Sequence, residues 1–196
     1  MLMFTIIACI LIVVLVPMIF GLIDKTRKQA FAKSVTEYIN SVKTAYSTEE
    51  LECYSGNSLV IASYLGDGTF YVPITTSESK EAPNNYAKEN VMAYDEKIPN
   101  PDSSQTVYDI AKENATNIIG SKKKSPFGKD IYGYIKIVRK DFNTEYYARI
   151  VDSDGNGNSV ENNEVNANSS ESITKDDLVT YLAPGEQSIK ICKFSE

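Results

Sequence analysis

The sequence predicts an α+β fold, a long N-terminal helix packed on a small antiparallel β-sheet, and three observations carry that expectation. Met1–Ile23 holds no charged residue, and all but Thr5, Pro17 and Gly21 are apolar. Apolar residues then recur at three- and four-residue steps as far as Tyr46, the period of one helix face. Further on, short runs rich in Tyr, Ile and Val are separated by turn residues, as in hairpin-linked strands. Helix and strand signals lie in separate stretches of the chain, which favours α+β over an alternating α/β order.

The first element is the apolar run. At about 1.5 Å per residue, Met1–Ile23 as a helix is long enough to cross a bilayer core. A cleaved signal peptide would need a basic start, a shorter apolar stretch and a small-residue cleavage site, and this segment has none of them. No second run of this kind exists, so a polytopic transporter is excluded. Residues 24–46 continue the helix as an amphipathic half, with Phe31, Val35, Tyr38, Ile39, Val42, Ala45 and Tyr46 on one face. Unbroken, Met1 to Tyr46 would be a rod of roughly 70 Å. Pro17 removes one backbone hydrogen bond and is expected to kink or loosen the helix, although a proline tolerated in a membrane helix explains it equally well. Lys25, Arg27, Lys28 and Lys33 follow the span, and the positive-inside rule taken literally places what comes after them in the cytoplasm.

Residues 47–196 form the second region, expected to be one globular domain. Ser47-Thr48-Glu49-Glu50 has capping-box spacing and opens a short helical turn or marks a polar corner. Ser58–Ser63 and Thr69–Ile74 read as strands around the turn Leu65-Gly66-Asp67-Gly68. Residues 75–105 read as a long polar connection interrupted by Pro83, Pro99 and Pro101. Thr106–Ile119 carries Val107, Ile110, Ala111, Ala115, Ile118 and Ile119 ahead of Gly120, a short amphipathic helix with its stop. Tyr132–Arg139 and Thr144–Val151 form the clearest hairpin, and Leu178–Leu182 and Ser188–Phe194 supply two more strands, making a sheet of about four.

Composition then narrows the function. The 196 residues include no histidine, so Ser-His-Asp and Cys-His nucleophiles and histidine-bearing zinc sites are absent. No carboxylate spacing singles out an acid/base pair, and the chain is read as a non-enzyme. A net charge of −6 argues against a nucleic-acid partner; the one basic run, Lys122-Lys123-Lys124, reads as a solvated loop. Thirteen tyrosines without a tryptophan are explained mainly by strand packing.

Two sites remain open on the residues alone. Asp152, Asp154, Asn156 and Asn158 alternate as in the first half of an EF-hand loop, but Asn163 takes the closing position and Glu164 comes one place late. A Ca²⁺ site and a plain Gly- and Asn-rich turn both fit these letters, and no other cofactor is expected. Cys53 and Cys192 are either a disulfide or two reduced thiols packed as small apolar groups. Cys9 reads as packing within the apolar helix.

The run Val14-Leu15-Val16-Pro17-Met18-Ile19-Phe20-Gly21-Leu22-Ile23-Asp24-Lys25-Thr26-Arg27-Lys28-Gln29-Ala30-Phe31-Ala32-Lys33-Ser34-Val35 resembles the N-terminal helix of type IV pilins and pseudopilins, in the style found in Gram-positive bacteria. A weaker likeness, Lys124-Ser125-Pro126-Phe127-Gly128-Lys129-Asp130-Ile131-Tyr132-Gly133-Tyr134-Ile135-Lys136-Ile137, resembles the start of the pilin sheet. The resemblance implies a structural subunit anchored as a single pass in the cytoplasmic membrane, its ectodomain exported, and then polymerised into a surface filament. Its partners would be other pilin subunits, the pilus assembly machinery and a prepilin peptidase. The apolar half, with Phe4, Ile7, Leu11, Val14, Pro17 and Ile19, would form the filament core.

The departures are specific. Pilin precursors carry a basic leader, a glycine at the cleavage site and a glutamate soon after it. Here Phe4-Thr5-Ile6-Ile7 imitates the apolar start, but Met3 stands in the glycine's place and Ala8 in the glutamate's. Pro17 is also too near Phe4, by about two helical turns. The expectation is therefore that the leader, cleavage glycine and glutamate are missing from before Met1, which would also resolve the charge conflict. The competing reading is an unprocessed single-pass membrane-anchored extracellular binding module.

Overall fold

The computed structural model describes residues 2–56, 58–80, 104–120, 123–154, 164–166, 172–173 and 190–195, with the side chains of 2–12, 14, 15, 164–166 and 172–173 set aside. The fold is α+β, with an N-terminal helix and small antiparallel sheets. Helix α1 spans Leu2–Ser47 and runs through Pro17. The chain then turns at Thr48–Glu49, where Glu49 adopts φ 62°, so the capping-box letters make a polar corner and no second helical turn.

Five strands described with α1 define the packed body. They are β1 (Leu51–Ser55), β2 (Ser58–Ile61), β3 (Gly68–Thr75), β4 (Ile131–Lys140) and β5 (Asn143–Asp152), with a single 3₁₀ turn at Ala62–Tyr64 between β2 and β3. Short β6 (Glu164–Asn166), β7 (Ser172–Ile173) and β8 (Cys192–Phe194) complete the described strands. One sheet has the order β2-β1-β8 and the other β3-β4-β5-β6-β7. The expected sheet of about four strands is thus two sheets. β1 had no expected strand, and the last expected one shortens to β8. Leu178–Leu182 and most of the 75–105 connection lie outside the described residues.

The β4–β5 hairpin closes on two residues, Asp141 (φ 51°) and Phe142 (φ 69°), the handedness that matches strand twist. Gly133 in β4 has φ 143°, and a Cβ there would stand 2.0 Å from the Arg149 carbonyl oxygen of β5. Only glycine permits that approach. The two sheets meet at the C-terminal strand: Tyr54 N–H donates to Ile191 O at 2.8 Å and Tyr71 N–H to Lys190 O at 2.9 Å.

Period-2 alternation separates two packing clusters. Phe70, Val72 and Ile74 of β3, with Ile135 and Ile137 of β4 and Ala148 and Ile150 of β5, share a cluster with Phe31, Val35, Ile39 and Val42 of α1. Tyr71, Tyr132, Tyr134 and Val151 join instead with Val107, Ile110 and Ala111 of α2, which spans Val107–Ile119. Each fully buried Val, Ile or Phe contributes roughly 1.5–3 kcal/mol to holding α1 on the sheet. At the far end Tyr46 stacks edge-on against Tyr146, centroids 6.0 Å apart, and Arg139 donates to the Tyr46 hydroxyl at 3.3 Å.

α2 is closed at its N-terminus by a capping box that the sequence reading did not single out. Thr106 is the N-cap, its hydroxyl accepting from the Asp109 N–H while the Asp109 carboxylate accepts from the Thr106 N–H at 2.8 Å. That backbone bond, then the Thr106 hydroxyl, holds the Asp109 carboxyl below its usual range. Buried Asn114 takes the place of a strand neighbour. It donates to Pro73 O (3.0 Å) and Cys192 O (3.1 Å) and accepts from Phe194 N–H (3.1 Å), so polar groups of β3 and β8 are paired where the strands splay.

Candidate functional site

The candidate site is α1, because its two halves present opposite chemistry. From Phe31 to Ala45, Phe31, Val35, Tyr38, Ile39, Val42 and Ala45 are buried on the sheet. Burial also raises the Tyr38 phenol above its ordinary range, against a lowering hydrogen bond from Ser34. N-terminal to Phe31 no described α1 side chain is buried. Val13 is 72% exposed, Met18 68%, Phe20 66% and Leu22 65%. At 100° per residue Val13 and Phe20 share one side and Met18 and Leu22 the opposite one, with exposed Val16, Ile19 and Ile23 between them, so the helix is apolar on several sides here, whereas the packed half is apolar on one face.

Of the assembly residues expected from sequence, Pro17 and Ile19 lie in this bare stretch, Ile19 at 53% exposure. Phe4, Ile7, Leu11 and Val14 fall within α1, but their side chains lie outside the described ones. Among the described residues no helix is long and apolar enough to cross a membrane.

Where α1 leaves the domain, the loop between α2 and β4 comes against it. The Arg27 guanidinium sits over the Phe127 ring, 6.0 Å from its centroid. The loop is organised by Ser125, which is buried. Its hydroxyl accepts from the N–H groups of Phe127 (3.2 Å) and Lys129 (3.4 Å) and donates to Asp152 Oδ2 at 2.8 Å. Ion pairs Lys124–Asp130 at 2.5 Å and Lys129–Asp154 at 3.1 Å lie around it, and Lys28–Asp24 at 2.8 Å lies on α1. Nearby, the hydrogen bond from Lys112 and then its charge lower the Glu78 carboxyl, with smaller contributions from Lys123 and Lys124.

The expected calcium ligands divide. Asp152 ends β5 with Oδ2 accepting from Ser125 and Oδ1 from the Asp154 N–H, while Asp154 pairs with Lys129. Asn156 and Asn158 lie outside the described residues; Glu164 begins β6, its side chain outside them. Among the described residues no group of three or more His, Cys, Asp or Glu could hold a metal ion.

Cys53 and Cys192 are joined by a disulfide across the paired strands β1 and β8, directly opposite each other in register. β1 was not expected from sequence; its signal was the alternation of Leu51 and Cys53 with polar Glu52 straight after the corner. A surface hollow of about 430 Å³ lies beside α1, lined by Glu37, Asn40, Ser41, Thr44, Ala45, Glu50 and Phe194. It is shallow and open to solvent, and its two carboxylates, Glu37 and Glu50, are exposed.

No protein-family model, no curated protein and no solved structure matches this chain.

Proposed function

We propose that this protein is a structural subunit of a type IV pilus-like filament, anchored in the membrane through the apolar half of α1 and assembled through the same helix. The supporting observation is that α1 is sealed onto the sheet from Phe31 onward and runs on with large apolar side chains exposed on several sides. A helix apolar on several sides is stable only when lipid or neighbouring helices surround it. With its described apolar side chains left in water, the fold is incomplete, and copies of the same helix supply a matching surface. The likeness of Val14–Val35 to pilin helices points the same way.

In this reading α1 is held first by lipid and later by its neighbours in the filament, while the domain is displayed outward. Pro17 cannot donate a backbone hydrogen bond, so it gives the helix local freedom to adjust when lipid contacts are exchanged for helix contacts.

The test is recovery of the full chain from sheared cell-surface filaments in the native cell. Wild type is expected in the sheared fraction, and Ile19→Asp is expected to be lost from it while the domain keeps its disulfide and circular dichroism. Wild type found only in the membrane fraction would overturn the filament role and favour the anchored binding module.

A further inference from the structure

The chain is acidic overall, yet its basic residues are unevenly placed. Lys25, Arg27 and Lys28 occupy the stretch of α1 that leaves the domain, and Lys33 stands exposed just inside the packed half, between buried Phe31 and Val35. Lys123, Lys124 and Lys129 lie on the loop that the Arg27–Phe127 contact brings to that stretch. All seven are exposed except Lys28, which is partly covered. The carboxylates placed with them are Asp24, Glu78, Asp130, Asp152 and Asp154; Glu78 is paired with a further cation, Lys112, and Asp152 is fully buried. This end is therefore positive in a chain of net charge −6. It is also the end from which the bare apolar helix projects.

We propose that these residues form a basic collar that seats the domain on an anionic lipid surface, its lysines and Arg27 meeting headgroup phosphates while the apolar half of α1 enters the bilayer. The proposal rests on the reading that α1 enters lipid. The argument is charge complementarity combined with position. A cation beside a lipid-inserted helix is held within a Debye length of the headgroups, where each contributes to binding, whereas one at the far end of the domain is screened. Arg27 over Phe127 brings the loop that carries Lys123, Lys124 and Lys129 against the basic stretch of the helix. A pilin-like subunit would then leave the membrane by giving up two holds, one apolar and one salt-sensitive.

The experiment is flotation of the full chain with vesicles of pure phosphatidylcholine and with vesicles that also contain phosphatidylglycerol. Wild type is expected to partition into both, more strongly into the anionic ones, and the excess should vanish near 1 M salt, where the Debye length is about 3 Å. The triple variant Lys123→Gln, Lys124→Gln, Lys129→Gln should lose roughly fivefold of that excess per lysine, with neutral-vesicle binding and circular dichroism unchanged. Lys140→Gln, at the opposite end of β4, should behave as wild type. Equal partitioning into both vesicle types, an excess kept by the triple variant, or an equal loss in Lys140→Gln would overturn the collar. Binding to anionic vesicles alone would keep the collar and overturn insertion of α1; binding to neither would overturn both.

Discussion

The two halves of α1 are one continuous helix, yet one is covered by the sheet and the other, where its side chains are described, is bare. Between Phe31 and Ala45 the apolar residues stand three and four apart, and all but one side of the helix is polar. Between Val13 and Ile23 they stand next to one another, so no rotation of the helix could bury them all against one sheet. The same backbone geometry thus makes a fixed rib of the domain at one end and an unsatisfied apolar rod at the other. Helical propensity is not what distinguishes them; the angular distribution of apolar side chains is.

The comparison can be broken most severely by attacking what holds the packed half in place. Replacing Cys53 and Cys192 by serine opens a loop with a sequence separation of 139 residues, and the entropy model puts the loss near 5 kcal/mol as an upper value. Urea unfolding of the domain under oxidising conditions should show it, and reduction of the wild type should show the same shift.

Ile39→Ala comes next. Ile39 is fully buried between helix and sheet, and truncation there should cost roughly 2–5 kcal/mol by the same unfolding measurement. If instead the loss were no larger than for an exposed site, α1 would not be part of the cooperative domain.

Thr106→Ala should cost about 1 kcal/mol through loss of the α2 cap. The cap also carries a pH signature. Because the Asp109 carboxyl is held below its unfolded value, its contribution is present above the ordinary aspartate pKa and disappears as pH falls through the lower folded value. Alanine keeps the residue 106 N–H that holds Asp109 most strongly, so the signature is read with Asp109→Asn: wild-type and Asp109→Asn unfolding midpoints should converge as the solution is acidified below about pH 4.

Smallest in stability, and sharpest for the comparison, is Leu22→Ala. Leu22 is 65% exposed, so the folding free energy of the domain should change by no more than about 0.5 kcal/mol, while vesicle partitioning and filament recovery fall. A destabilised domain would show that the bare half is packed after all.

Much of this architecture was legible in residue patterns. The helix from the apolar run through Tyr46, the amphipathic run and Gly120 stop of α2, and the β4–β5 hairpin each follow from local chemistry: periodicity, a terminal glycine, β-branched and aromatic runs. β1 was not legible, because five residues with two polar among them carry too little periodic signal, and its strand character depends on β2 and β8 pairing with it. The role of Asn114 was equally hidden. A lone asparagine inside an amphipathic helix looks like a surface residue until β3 and β8 are seen to splay beside it. The Lys122-Lys123-Lys124 run read as a solvated loop, and Lys123 and Lys124 are exposed; what no local pattern encodes is that Phe127, a few residues on, meets Arg27 of α1 about a hundred residues away.

The sequence by itself determined which half of α1 could pack on a sheet, since one-sidedness is a property of residue spacing along a rigid helical repeat. It also determined that the domain lacks the histidine chemistry of most nucleophilic enzymes. Only the tertiary structure decided that Cys53 faces Cys192 and that Ser125 ties the α2–β4 loop to β5. It alone brought Phe127 of that loop to Arg27, where α1 leaves the sheet. These are meetings of residues far apart in the chain, and they depend on strand order and register, which the summed burial of many side chains selects and no short segment specifies.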